Sequence, residues 1–418
     1  MKVAGLKITV IDGDVSYPPN SGKRLRTLKL LLPLAGRHTI TYLARSESPP
    51  ESPANREAAA YFRDHGIEPI LVNAPLPPKR DRLRFAANLA RNLLSPLPYS
   101  VATHASRAMR DAARAHAARR PVDLWQLEWS GYGYCVEGAS APVVLQAHNV
   151  DALLWRRYGE AERNPVRRAF IADQERKFIS FERRAFQAAD RIVAVSEEDS
   201  RNARQMYGPL PIDVVDNGVD VAGLAGVTPE IGCARILFLG ALDWRPNIDG
   251  IDFLLRDIWP AVRSARPGAR LVVVGRNPPA DLARRLAATE GTELHADVPD
   301  VKPFLASCAT MAVPLRIGGG SRLKVLEAMA AGLPVVSTGI GAEGLGVENG
   351  VHFRRADTAP DFAAALVAAL TSPDAQAQMA RRARAWVSVR HDWSLLSARL
   401  EESWLRTVAA RGDVKTPS

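Results

Sequence analysis

The sequence predicts an α/β protein of two doubly wound domains, and three observations carry the prediction. Short apolar runs alternate with segments of helical spacing along both halves of the chain, the order that builds a parallel sheet covered by helices. At 418 residues the chain accommodates two large domains. Between the apolar run ending at Val313–Leu315 and the helical spacing of Leu323, Leu326, Glu327 and Ala330 stands a glycine-rich turn, Gly318, Gly319, Gly320 and Ser321. Glycines there free the backbone for positive φ and for close approach to a ligand. Ser321 is the expected N-cap, and Arg316, Arg322 and Lys324 cluster on the turn. Free helix N–H groups, the helix dipole and these cations make the stretch an anion site suited to a phosphate or pyrophosphate. Gly332 and Pro334 end the helix, and Val335–Val336 reads as buried strand.

The remaining elements follow the same alternation. Lys7–Ile11 is predicted as the first strand, then the turn-rich loop Asp12–Gly22, a helix over Lys23–Leu34 and a strand over His38–Ala44. A helix over Glu57–His65 precedes strands at Ile67–Val72, Val122–Leu127 and Val143–Ala147. Asn164–Ala188 reads as a long charged helix or helix pair, and Ala189–Ser196 as a strand whose end offers Ser196 as the next N-cap. His148 and Asn149 follow a strand directly, at the end where α/β sheets hold ligands, and a histidine there can both donate and accept near neutrality. In the second half Ile236–Leu239 runs into Gly240, followed by a helix over Ile251–Ser264, a strand over Arg270–Val274, a helix over Ala280–Thr289, a strand over Leu294–Val298 and a helix over Val301–Ala306. Helices over Pro360–Leu370, Asp374–Val389 and Trp393–Ala409 complete the chain, and Gly412–Ser418 is expected to be disordered.

Composition narrows the class. A 47% hydrophobic and 24% charged content is that of a globular protein with full cores. No apolar run approaches the roughly 20 residues of a membrane helix. The N-terminus enters the strand-like Leu6–Ile11 without a signal-peptide pattern, so a cytoplasmic protein is expected. Cys135, Cys233 and Cys308 are too few and too scattered for a disulfide framework or a metal cluster, and read as plain buried thiols. The formal net charge of +10 is concentrated between Lys79 and Arg120, where ten basic residues face Asp81 and Asp111. Interleaved with Phe85, Leu89, Leu93, Leu94, Leu97 and Tyr99, that segment either lies on an anionic membrane surface or is a solvated helix face. No nucleic-acid-binding module accompanies the charge.

The glycine turn lacks the P-loop spacing, and no G-x-G-x-x-G follows the first strand. What Leu326–Thr338, LEAMAAGLPVVST, resembles is the donor-site helix of the family 4 retaining glycosyltransferases. The resemblance extends in order over most of the chain: the loop Asn20–Arg24, the pair His148–Asn149, the hinge-like Val214–Val219 with Asp220, and the turn at Gly240. It implies a GT-B fold, α/β, with two doubly wound Rossmann-like domains facing a cleft. The domains expected are 1–215 for the acceptor and 216–392 for the nucleotide-sugar donor, with a helix at 393–411 crossing back and a tail at 412–418.

The resemblance also implies roles. His148 and Glu327 would be the catalytic pair, Glu327 also holding the donor ribose. Gly240, Arg245, Arg316, Gly318, Gly319, Gly320, Ser321, Arg322, Lys324 and Thr338 would bind the donor, and Ser21, Gly22, Lys23 and Asn149 would line the cleft on the acceptor side. Two departures stand out. Gly319 occupies the place of the family's first glutamate, and Ala241 that of an arginine on the donor pyrophosphate, with Pro246–Asn247 near the place of a family lysine; Arg316, Arg322 and Lys324 are expected to replace the two lost cations, with Arg245 as a fallback candidate. The implied reaction is retaining transfer of a sugar from a UDP- or GDP-sugar to a glycan or lipid-linked acceptor in exopolysaccharide assembly, at the inner face of the cytoplasmic membrane. Neither cofactor nor metal is expected, because Asp12-Gly13-Asp14 is read as loop. A nucleotide-sugar epimerase and a non-catalytic binding subunit remain as alternatives. A hydrolase would need two facing carboxylates, for which Glu327 and Glu343 are candidates.

Overall fold

The unbroken apolar runs become the centres of two parallel sheets, because strands covered by helices on both faces have no solvent side to make polar. The computed structural model describes residues 5–77, 82–317 and 322–412. The expectations for Gly318, Gly319, Gly320 and Ser321, for Lys79 and Arg80, and for the tail from residue 413 lie outside the described residues. The chain divides into two units, one running up to Asp216 and resuming at Ser394, the other spanning Asn217 to Trp393.

In the first unit the strands are β1 (Lys7–Asp12), β2 (Thr39–Ser46), β3 (Ile67–Asn73), β4 (Leu124–Leu127), β5 (Val143–Ala147), β6 (Arg191–Ala194) and β7 (Ile212–Val214). They pair in parallel in the order β3-β2-β1-β4-β5-β6-β7. The order reverses between β1 and β4, so the chain leaves these neighbours in opposite directions and opens a crevice at their carboxyl ends. The terminal helix Trp393–Gly412 packs on this unit, burying Leu396, Leu400 and Trp404 completely. The indole Nε1 of Trp404 donates to Gln126 Oε1 at 2.7 Å, and His38 Nε2 lies 2.8 Å from Glu401.

The second unit contains β8 (Arg235–Leu239), β9 (Arg270–Gly275), β10 (Thr292–Ala296), β11 (Thr310–Val313), β12 (Val335–Ser337) and β13 (Arg354–Arg355). Their order is β10-β9-β8-β11-β12-β13, again parallel, with the switch point between β8 and β11. Apolar clusters fill both faces of the sheet, Leu237, Val272, Met311 and Val335 on one and Ile236, Leu271, Val273 and Ala312 on the other.

Several elements differ from the sequence reading. The helix expected over Ile251–Ser264 is instead Arg245–Phe253, a wider π turn at Leu254–Ile258 and Trp259–Ala265. Pro260 has no N–H to give, and the ladder widens just before it. A helix at Asp151–Ala161 precedes Pro165–Ala188, the second capped by Asn164, whose side chain accepts from the N–H groups of Val166 and Arg167. Cys135 and Cys308 are buried, but Cys233 is only half-buried. The basic segment forms helices at Arg82–Leu93, Tyr99–His104 and Arg107–Arg119. Its first helix ends at Leu93, and Leu93 and the following Leu94 are 53% and 91% exposed, while Asn92 beside them is anchored by Gln174 and Lys177. Among the described residues no helix is long and apolar enough to cross a membrane.

Candidate functional site

Each switch point gathers polar side chains, and each set is considered within its own unit. At the carboxyl ends of β1 and β4 in the first unit lie Asp12 and Glu128, both buried. Asp12 accepts hydrogen bonds from Tyr42 Oη at 2.7 Å and Ser16 Oγ at 3.1 Å, and from the Lys23 ammonium. Arg24 forks onto Asp14 at 2.6 and 2.7 Å. Ser21 caps the helix Gly22–Leu31 by accepting from the Arg24 N–H. The expected acceptor-side loop is thus a braced structure. Ser21 and Lys23 make intramolecular bonds, Gly22 opens the helix, and Asn149 is half-buried between His148 and the helix Asp151–Ala161.

Glu128 lies at the centre of this unit's site and was not singled out from sequence. Its carboxylate accepts from Thr27 Oγ1 at 2.8 Å, Gln126 Nε2 at 2.6 Å and His148 Nε2 at 3.1 Å. Burial alone would raise its pKa, but the bond and charge of His148, the charge of Lys23 and the Gln126 bond hold it well below the usual carboxylate range. The helix after His148 is fixed from behind. Glu182 accepts from the N–H groups of Asp151 and Ala152 at 2.8 and 2.9 Å and from Tyr207 Oη at 2.7 Å. Burial and the charge of Asp151 push the Glu182 carboxyl up.

In the second unit the chain leaves β8 at Gly240 and β11 at Pro314, and the helix Leu323–Ala331 follows. Lys324 donates to Asn247 Oδ1 at 2.9 Å and sits 5.2 Å from the centre of the Phe238 ring. Asn247 is oriented by its own bond from Nδ2 to Ala241 O at 2.8 Å. Gly240 is needed because a Cβ there would stand 2.7 Å from Asn247 Nδ2. Burial, aided by the charge of Arg322, lowers the Lys324 pKa to about 7. One turn on, burial raises Glu327 to about 7, and its carboxyl has no hydrogen-bond partner among the described residues.

Two of the three expected cations make intramolecular pairs. Arg316 is turned onto Asp249 at 2.6 and 3.0 Å and lies over the Phe253 ring. Arg322 is buried, donates to Ile340 O and pairs with Glu343 at 3.6 Å, so it braces the turn after β12. Thr338 is likewise structural: its hydroxyl donates to Leu315 O and accepts from Gly341 N, and the side chain is buried. Arg245 is exposed at the start of its helix. Arg322 stands at the N-cap position of the helix Leu323–Ala331. Ser196 caps the helix Glu197–Tyr207. No three His, Cys, Asp or Glu side chains among the described residues come together as a metal site.

Comparison with known proteins agrees with this architecture. Residues 26–222 match the model of Glycosyltransferase Family 4, and residues 233–372 that of Glycosyl transferases group 1. The chain is 28% identical over 239 residues to a glycogen synthase of Mycobacterium tuberculosis, covering 54% of this chain and 56% of that protein. It is 28% identical over 233 residues to a GDP-mannose-dependent monoacylated alpha-(1-6)-phosphatidylinositol monomannoside mannosyltransferase of Corynebacterium glutamicum, covering 50% of this chain and 61% of the relative. The chain therefore spans a little over half the length of these curated relatives. In structure it is similar to HepE of Anabaena, solved in complex with UDP and glucose, with a TM-score of 0.64, 15% identity, and coverage of 95% of this chain and 99% of that one. With two parallel sheets, each with a switch point, and family models matching most of its length, the chain belongs to the family 4, group 1 glycosyltransferases and has the GT-B fold.

Proposed function

We propose that the protein is a retaining glycosyltransferase that moves a sugar from a UDP- or GDP-sugar to a glycan or lipid-linked acceptor in surface or exopolysaccharide assembly, without a metal. The observation that carries the reading is Glu327. A half-buried carboxyl raised to about 7, without a partner among the described residues, at a switch point and one helical turn from a half-buried lysine lowered to about 7, is placed to receive hydroxyl donors of a ligand. A ribose offers two hydroxyl donors to Glu327, and a pyrophosphate offers negative charge to Lys324 and to the helix behind it. The same lysine stabilises the charge that grows on the departing nucleoside diphosphate. In the first unit, His148 contacts the transferred sugar. The UDP bound by HepE and the GDP-mannose used by the corynebacterial relative support a nucleoside-diphosphate donor. The lipid in the latter's name and the exposed Leu93–Leu94 pair on the basic helices support an acceptor reached at an anionic membrane.

The test is a thermal-shift screen with UDP, GDP, ADP, dTDP and their sugars, with and without EDTA. A ligand at a hundred times its dissociation constant adds about 2.7 kcal/mol of stability. A shift from one nucleotide, unchanged by EDTA and lost in Lys324→Ala, is expected. The absence of a shift from every nucleotide would overturn the donor reading, and a shift abolished by EDTA would overturn the metal-free part.

A further inference from the structure

The first unit contains a hydrogen-bonded chain in which the position of every shared hydrogen is fixed by chemistry. Trp404, wholly buried on the terminal helix, ends in an indole N–H that can only donate. It donates to Gln126 Oε1 at 2.7 Å. The Gln126 amide is thereby oriented, and its NH2 group faces Glu128 Oε1 at 2.6 Å. Glu128 takes the Gln126 NH2 on Oε1 and the Thr27 hydroxyl on Oε2 with the charge of Lys23 acting on it, so it stands as a carboxylate, an acceptor only, beside a neutral imidazole as well. Oε2 takes Thr27 Oγ1 at 2.8 Å and His148 Nε2 at 3.1 Å. A donor-only group at one end and an acceptor-only group next to the imidazole leave one arrangement for the neutral ring.

We propose that Glu128 is a positioning residue that holds neutral His148 as its Nε2–H tautomer, so that Nδ1 is the nitrogen presented to substrate, and that Trp404 fixes the direction of the chain through Gln126. Nδ1 has no hydrogen-bond partner among the described residues. His148 therefore meets a substrate hydroxyl as an acceptor through Nδ1 when neutral, and as a donor through the same atom when protonated. This inference rests on the reading that His148 contacts the transferred sugar, but its main test does not.

In Glu128→Gln the Gln126 NH2 still needs an acceptor, so the new amide turns its oxygen towards Gln126 and its NH2 towards Thr27 and His148. His148 Nε2 must then accept, and the tautomer inverts to Nδ1–H. Adding Trp404→Phe frees Gln126 to rotate, which lets the new amide turn its oxygen to His148 and restores Nε2–H. The tautomer is read from long-range proton–nitrogen correlations of the imidazole in protein labelled with 15N-histidine, at about pH 9 where an ordinary histidine is neutral. His148→Gln assigns the resonance.

Nε2–H in the native protein and Nδ1–H in Glu128→Gln are the expected results. Nδ1–H in the native protein, or no inversion in the variant, overturns the proposal, and the native spectrum decides even if a variant fails to fold. Turnover is measured separately with the donor identified by the nucleotide screen. Glu128→Gln is expected to lower kcat about 10- to 100-fold, the size of one charge-assisted hydrogen bond, with donor KM unchanged. If the tautomer behaves as expected but both His148→Gln and Glu128→Gln keep full kcat, the placement of His148 at the sugar fails while the hydrogen-bond chain stands.

Discussion

Replacing Lys324 with methionine tests the donor site most sharply, because the lysine should announce its role through a proton. Its ammonium is held near a pKa of about 7 by burial and by Arg322, against about 10.4 for an exposed lysine. A pyrophosphate needs the charged form. Below pH 7 the free site is already charged; as pH rises through 7 the site must take up a proton to bind, so affinity falls. At about pH 8.5 that uptake opposes binding by 1.5 pH units, about 2 kcal/mol, or about 30-fold in Kd. Phosphate groups with pKa values of about 6 are fully ionised above about pH 7.5, so the remaining slope belongs to the protein. Calorimetry of UDP or GDP binding at about pH 8.5, in two buffers of different ionisation enthalpy, should register uptake of about one proton. In Lys324→Met the uptake should vanish, and at pH 6 the affinity should fall by about 1.5–3 kcal/mol, the loss of a charge-assisted hydrogen bond. Binding without proton uptake in the native protein, or a pH slope that survives in Lys324→Met, would refute the reasoning.

Other consequences can be checked with single variants. Gly240→Ala places a methyl group 2.7 Å from Asn247 Nδ2 and should displace the amide that holds Lys324. A loss of nucleotide affinity of about tenfold with little change in far-UV circular dichroism is expected, comparable to losing one hydrogen bond. Glu182 is raised by burial and by Asp151, so its contribution to stability is complete below an unfolded carboxyl pKa of about 4.3 and is lost as pH rises through the folded value. Glu182→Gln should flatten the decline of denaturation midpoint on the alkaline side, and an unchanged decline would show that another group controls it. Leu93→Asp with Leu94→Asp should reduce sedimentation with vesicles rich in anionic lipid, by about 1 kcal/mol or more, while leaving nucleotide binding intact. Equal sedimentation would leave the segment a solvated helix face.

Most strands could be read from sequence with small shifts at their ends, since burial on both faces leaves a run such as Leu271–Gly275 with no other use, but the short edge strands Ile212–Val214 and Arg354–Arg355 carry too little apolar signal to be found. The place of His148 directly after β5 could be read because its signal is local to that strand end. Glu128 could not, since its meaning depends on Thr27, Gln126, His148 and, beyond them, Trp404, which is 278 positions from Gln126. The fates of Arg316 and Arg322 were equally hidden. Local sequence shows three cations on one turn, whereas Asp249, 67 positions away from Arg316, decides that one of them points elsewhere. Residue type and spacing identify what can carry charge, and tertiary contacts decide which charges stay available to a ligand.

The terminal helix gives the order of synthesis a physical meaning. The slot that receives Leu396, Leu400 and Trp404 belongs to the unit built from the first 216 residues, so that unit emerges from the ribosome with an apolar trough open and Gln126 without its indole partner. The stretch from Asn217 to Trp393 has its whole sheet before those last residues appear. The part of the chain made first is therefore the part finished last.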